Sequence, residues 1–116
     1  MEPLPPDVAV HVAVPGSGVP MRPTPGGTST LDVSAHGTRA WALLPPDRAE
    51  HSTTPALLYA AHTLTAPRLP ARAQPLRCEQ RSGDALFLPR RWAGSWVALD
   101  SGVGYAVRFA SPFDRY

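Results

Sequence analysis

Leu76-Arg77-Cys78-Glu79-Gln80-Arg81-Ser82-Gly83-Asp84-Ala85-Leu86-Phe87-Leu88-Pro89 carries the clearest structural signal in the chain. Leu76–Gln80 predicts a strand, Ser82-Gly83-Asp84 a turn, and Ala85–Leu88 a second strand. Pro89 stops that strand, because proline has no N–H to give to a ladder. The same grammar continues outward. Downstream, Gly94–Leu99 and Val103–Phe109 read as a strand pair across Asp100-Ser101-Gly102. Upstream, Arg39–Leu44 (RAWALL) is a buried-strand candidate ended by Pro45-Pro46. Val8–Val14 sets Val8, Val10, Val12 and Val14 against Ala9, His11 and Ala13, the period of two that marks a strand. Between these lie a Pro15–Gly18 turn, a short extended piece at Met21–Thr24, a Gly26-Gly27 break, a Thr28–Val33 strand and a His36-Gly37 turn. At most one helix is expected, over Pro55–Thr65, with proline at its first position. Many short strands with regular turns predict an all-β sandwich or barrel.

The composition agrees. A chain of 116 residues fits one domain, and 43% hydrophobic with 17% charged residues is a composition that folds. Fifteen prolines and nine glycines disfavour long helices. Residues 1–7 read as a Pro-rich N-terminal segment, 8–112 as the domain and 113–116 as a C-terminal tail. All 11 basic residues are arginines, scattered along the chain, so no basic stripe for nucleic acid emerges from a net charge of +2. A single cysteine, Cys78, excludes an internal disulfide framework and a cysteine-cluster zinc site. No stretch approaches the roughly 20 apolar residues of a membrane span, and the N-terminus lacks the basic and apolar regions of a secretory signal. A cytoplasmic protein that binds neither nucleic acid nor membrane is expected.

Several segments resemble the Jumonji C (JmjC), cupin-like domain family. In the first half these are Pro15-Gly16-Ser17-Gly18-Val19-Pro20, then Gly27-Thr28-Ser29, then Gly37-Thr38-Arg39-Ala40-Trp41-Ala42-Leu43-Leu44-Pro45-Pro46. They are similar to the family patterns PxGSGxPxHxDxxGTS and G-[RHK]-K-R-W-x-L-[FY]-P-P. In the second half, Pro75–Trp92 resembles the family's PLxCxQxxGDxLFxPxxWxH segment. The resemblance covers about Val8 to Pro112 and implies a double-stranded β-helix, a jelly-roll barrel whose mouth holds Fe(II) and 2-oxoglutarate in the family.

That chemistry rests on two histidines and a carboxylate on one metal face. Carried over residue by residue, the first histidine falls on Arg22, the aspartate on Thr24 and the second histidine on Gly94. None replaces its ligand: a guanidinium repels a cation, a hydroxyl is a weak neutral donor, and glycine offers nothing. The expectation is a degenerate, metal-free relative with no catalytic triad, no metal and no cofactor. Trp96, two residues beyond Gly94, either fills the lumen or belongs to the core; Ala106 faces the lumen by strand parity. The family lysine that holds the co-substrate falls on Arg39. Arg39, Arg22 and Arg108 together form a candidate anion site, unless they face solvent or pair with Asp32, Asp84 or Asp100.

Other candidates are weaker. His11, His36, His51 and His62 show no metal-ligand spacing. His11, on the alanine face of its strand, either points inward or is a hydrogen-bonded structural residue. Cys78 reads as a small buried hydrophobe, and Trp41 and Trp92 as structural aromatics. The function expected is a non-catalytic binding or assembly module. The alternatives are an enzyme whose arginine-lined barrel mouth acts on an anionic small molecule, or a 2-oxoglutarate-dependent hydroxylase with ligands displaced to His11 or His36. Val103, Tyr105, Val107 and Phe109 make one apolar face on the last strand, so a homodimer or a complex with a protein partner is expected, with a small anionic ligand as a further possibility.

Overall fold

A computed structural model describes residues 7–24, 28–48 and 75–110, and among these proline and glycine punctuation separates eight strands. They are β1 (Asp7–Ala13), β2 (Gly18–Pro23), β3 (Ser29–His36), β4 (Arg39–Leu44), β5 (Leu76–Gln80), β6 (Ala85–Leu88), β7 (Ala93–Ala98) and β8 (Gly102–Phe109). A 3₁₀ turn, Pro46–Arg48, follows β4. The strands form two four-stranded sheets, ordered β1-β8-β3-β6 and β2-β7-β4-β5, with every ladder antiparallel. Successive strands alternate between the sheets in the jelly-roll manner except at β4 and β5, which pair in one sheet, so the fold is the double-stranded β-helix expected from the sequence.

β4, β5 and β6 run over the residues expected. β8 starts one residue early, at Gly102, β1 and β7 are each shifted one residue toward the N-terminus, and β2 and β3 are each two residues longer than expected. β2 begins at Gly18 although it contains Pro20 and Pro23. It lies at a sheet edge, where a missing N–H leaves no ladder bond unmade. A register shift between Val19 and Arg22 accommodates the prolines, and Ser95 Oγ donates to the Val19 carbonyl there at 2.7 Å. β3 continues to His36, through a second register shift between Ser34 and His36. The turn therefore falls at Gly37, whose φ of 98° is left-handed and whose missing Cβ would stand 2.7 Å from the Gly102 Cα. The helix expected over Pro55–Thr65 lies outside the described residues.

Interior residues sort by size between the sheets. The β1-β8 side presents Ala9, His11, Ala13, Gly102, Gly104 and Ala106, partnered in register. The opposing β7 and β4 bring Trp96 and Trp41, themselves direct cross-strand partners. Small residues on one layer make room for the indoles of the other. Trp41, Trp96, Ala13 and Ala98 form a buried cluster, with Val19, Leu43, Cys78 and Leu86 packed on it. Each indole removes about 150–250 Å² from water, or about 4–6 kcal/mol of hydrophobic driving force before entropy is charged against it.

The two sheets differ on their outer faces. Every residue of β7 is buried, and Met21, Ala42, Leu44 and Ala93 form a second buried cluster behind it. The other sheet turns apolar rows outward: Val8–Val107–Leu31–Phe87 and Val10–Tyr105–Val33–Ala85 are in register across all four strands. Val10 and Val12 are 72% and 82% exposed, so the valines of β1 face away from the core.

Candidate functional site

The interior between the sheets holds a buried charge cluster on one side and an open cleft on the other. Arg39 begins β4 and points inward, where its guanidinium donates to Asp32 Oδ1 from β3 in the opposite sheet. Both side chains are more than nine-tenths buried. The Arg39 guanidinium also lies 4.8 Å from the Trp96 ring centre and 5.7 Å from that of Trp41, a cation held over two π faces. His11 packs its ring edge against Trp96, with centroids 5.8 Å apart. Its Nε2 is 3.4 Å from Asp32 Oδ2, within ion-pair distance but without hydrogen-bond geometry. That nitrogen is buried and finds no hydrogen-bond partner among the described residues.

Gln80 locks this cluster in place. Its Oε1 accepts from Trp41 Nε1 at 2.8 Å, while its Nε2 donates to the Asp32 and Asp84 carbonyls at 2.8 and 3.2 Å. One amide from β5 thus orients the indole and ties the two sheets together. The sequence marked Asp32 only as one of several possible partners for Arg39, and Gln80 only as a motif position. Neither the pairing across layers nor the amide bridge leaves a trace in strand periodicity.

The cleft has about 70 Å³ of free space and opens to solvent. Its two walls are cross-strand pairs: Arg22 opposite Gly94 on β2 and β7, and Thr30 opposite Arg108 on β3 and β8. Val19, Trp41, Leu88, Trp96 and Ala106 give it an apolar lining, and His11 and Asp32 border it. Trp96 is buried and fills part of the lumen while also packing in the core, so the two alternatives for it merge. A second hollow of about 10 Å³, large enough for about one water, touches both His11 and His36 at the β3–β4 turn.

The three candidate anion-binding arginines separate. Arg22 and Arg108 line the cleft, but Arg39 does not join them, because Asp32 neutralises it inside the protein. Arg108 has Asp7 Oδ2 at 3.5 Å, and Arg22 makes no ion pair among the described residues. Asp84 and Asp100 are turn residues: they accept from the Arg81 and Thr38 amides at 2.9 and 2.7 Å. Thr24 is also structural. Its Oγ1 accepts from the Arg91 amide at 3.1 Å, beside the left-handed φ of 73° at Arg91, and its own amide donates to the Trp92 carbonyl. Cys78 is half-buried against the indole cluster, and burial pushes its thiol pKa up. His51 and His62 lie outside the described residues.

This sheet order and these motifs define a JmjC-type, cupin-like barrel, and the comparisons agree: the chain resembles proteins of the JmjC domain family. It is 33% identical over 100 residues to human JmjC domain-containing protein 8, which spans 84% of this chain and 36% of that protein. The rat protein of the same name is 32% identical over 102 residues, 84% of this chain and 35% of its own length. The chain therefore spans about a third of these curated relatives. No family model matches it. Among solved structures, the ribosomal oxygenase YcfD of Escherichia coli aligns over 91% of this chain and 23% of its own, with a TM-score of 0.59 and 21% identity. The same enzyme in complex with cobalt and succinic acid gives a TM-score of 0.62 at 19% identity. These structural likenesses show the fold.

The family implies Fe(II) and 2-oxoglutarate, but the residues present do not fit them. Arg22 and Gly94 stand opposite each other where two imidazoles would be needed, and Thr24 is engaged by a backbone amide. A Cβ at position 94 would stand 3.1 Å from the Trp41 ring and 3.2 Å from Leu88, so an imidazole there meets occupied space. Among the described residues, no three His, Cys, Asp or Glu side chains converge as a metal site. His11 and Asp32 adjoin one another, but Arg39 already holds the carboxylate. No helix among the described residues is long and apolar enough to cross a membrane.

Proposed function

We propose that this JmjC-type domain is a metal-free binding or assembly module rather than a 2-oxoglutarate oxygenase. One observation carries the reading: a guanidinium faces a glycine across the β2–β7 ladder, and the space beside that glycine belongs to Trp41 and Leu88. A ferrous ion needs converging imidazole and carboxylate donors, and a fixed cation beside it adds repulsion. The test is anaerobic reconstitution with Fe(II), followed by metal analysis and an assay for succinate released from 2-oxoglutarate. The expected result is iron well below stoichiometric and succinate at the level of a protein-free control. Stoichiometric iron with succinate production that disappears in His11→Ala or His36→Ala would overturn the reading.

The assembly role rests on the outer face of the β1-β8-β3-β6 sheet. Two uncharged apolar rows span four strands there, and the β1 valines are largely exposed. Continuous exposed apolar surface marks an interaction site more often than a free surface. The face is uniform enough to meet its own copy about a two-fold axis, so a homodimer is the assembly proposed.

A further inference from the structure

We propose that the cleft between Arg22 and Arg108 binds a short-chain aliphatic monocarboxylate directly, without a metal. The inference goes beyond the assembly reading and uses a different surface.

Charge selects an anion and its valence. Three guanidiniums, Arg22, Arg39 and Arg108, lie in or beside the cleft with two carboxylates, Asp32 and Asp7. Asp32 is bound by Arg39, and Asp7 sits at 3.5 Å from Arg108 on the exposed rim. One positive charge is left over, on Arg22, which has no ion-pair partner among the described residues. A single excess charge matches a monoanion better than a dianion, which would bring one uncompensated negative charge beside Asp32.

Shape and lining select the rest of the ligand. Arg22 is exposed at the mouth, and the Arg108 side chain is about one-third exposed. A planar carboxylate matches the guanidinium fork with two parallel hydrogen bonds. The Thr30 hydroxyl stands beside Arg108 as its cross-strand partner. His11 borders the same space, and its Nε2 is buried without a hydrogen bond beside Asp32, 3.4 Å from Oδ2. Deeper in, Val19, Leu88, Trp96 and Ala106 offer only apolar surface. The 70 Å³ of free space holds about five waters, and so an acid of about four carbons.

The experiment titrates the full chain with butyrate, in the presence of a chelator, by calorimetry and tryptophan fluorescence. Butyramide, which has the same shape without the charge, and inorganic phosphate are run in parallel. Butyrate is expected to saturate with a Kd of roughly a millimolar, the range open to so few atoms. It should perturb the emission of Trp96, and butyramide should bind at least about tenfold more weakly. Arg22→Gln should weaken butyrate by about tenfold, and Arg22→Gln with Arg108→Gln should abolish saturation while the melting temperature stays within a few degrees. Equal binding of butyramide, tighter binding of phosphate, unchanged affinity in the double variant, or binding that appears only when Fe(II) replaces the chelator would each overturn the proposal. The last result would also count against the metal-free reading; the first three leave that reading standing.

Discussion

Asp32 on β3 and Arg39 on β4 pair across the interior of the barrel, each from a different sheet and each more than nine-tenths buried. The pair spends the cation that sequence comparison would assign to a co-substrate carboxylate. Its desolvation is offset by the two indoles over the guanidinium and by the hydrogen bond itself.

Breaking that pair from one side should be severe. Asp32→Ala leaves a buried guanidinium without its counter-charge, at a cost of about 3–5 kcal/mol in urea unfolding. Replacing both partners with apolar residues, Asp32→Leu with Arg39→Met, should recover most of that loss. A double variant as unstable as the single one would show that the loss does not come from an unpaired buried guanidinium.

Gln80→Leu removes an acceptor from Trp41 Nε1 and a donor from two carbonyls. Leaving a buried indole N–H unpaired costs about 1–3 kcal/mol, and the lost amide bonds add to it. Near-ultraviolet circular dichroism should report a loosened Trp41 along with the lower melting temperature. An unchanged spectrum would remove Gln80 from the role assigned to it.

Gly94→His should destabilise without creating a metal site. The added Cβ meets the Trp41 ring at 3.1 Å and Leu88 at 3.2 Å, and forcing a ring into that space costs about 1–3 kcal/mol. Thermal unfolding with and without added Fe(II) is the measurement, and a stabilising shift with iron would contradict the crowding argument.

Cys78 should react slowly. Burial raises its thiol pKa, so less thiolate is present at mildly alkaline pH than in an unfolded chain. Because the folded value lies above the unfolded one, the associated stability is fully present below the unfolded thiol pKa and is lost as pH rises through the folded value. Ellman's reagent at pH 8 should therefore label the native protein more slowly than the same protein in urea, and Cys78→Ala should remove this alkaline dependence. Equal rates in the two states would place the thiol in solvent.

The outer sheet face gives a concentration-dependent expectation. Light scattering at tens of micromolar (a working range for a specific dimer) should show a dimer, and Val10→Glu with Tyr105→Glu should give a monomer of unchanged fold. A monomeric wild type would remove the homodimer.

Strand positions were legible to within a residue where proline or a Gly-containing turn set the limits: β4, β5 and β6 agree residue for residue, and β1, β7 and β8 differ by one residue at their ends. Limits were missed where an exception to a local rule was at work: prolines tolerated at the β2 edge, and register shifts in β2 and β3. Alternation in β1 showed two faces but not which one points inward. The smaller face does, because Trp41 and Trp96 occupy the volume from the other side. The inward direction of Arg39 was readable from its motif, whereas its partner Asp32 depends on how two layers meet.

The crowding around Gly94 also governs how this barrel can change over generations of mutation. Any larger side chain at that position presses on Trp41 and Leu88, which must give way, and Trp41 is fastened by Gln80 to the opposite sheet. A lineage moving toward an iron-binding barrel would have to alter positions 22, 24 and 94 along with one of those neighbours. No one of those steps supplies a ligand set, and those at Thr24 and Gly94 disturb a hydrogen bond or a tight contact. Packing therefore restricts the interior near Gly94 more than the exposed mouth, where Arg22 meets solvent.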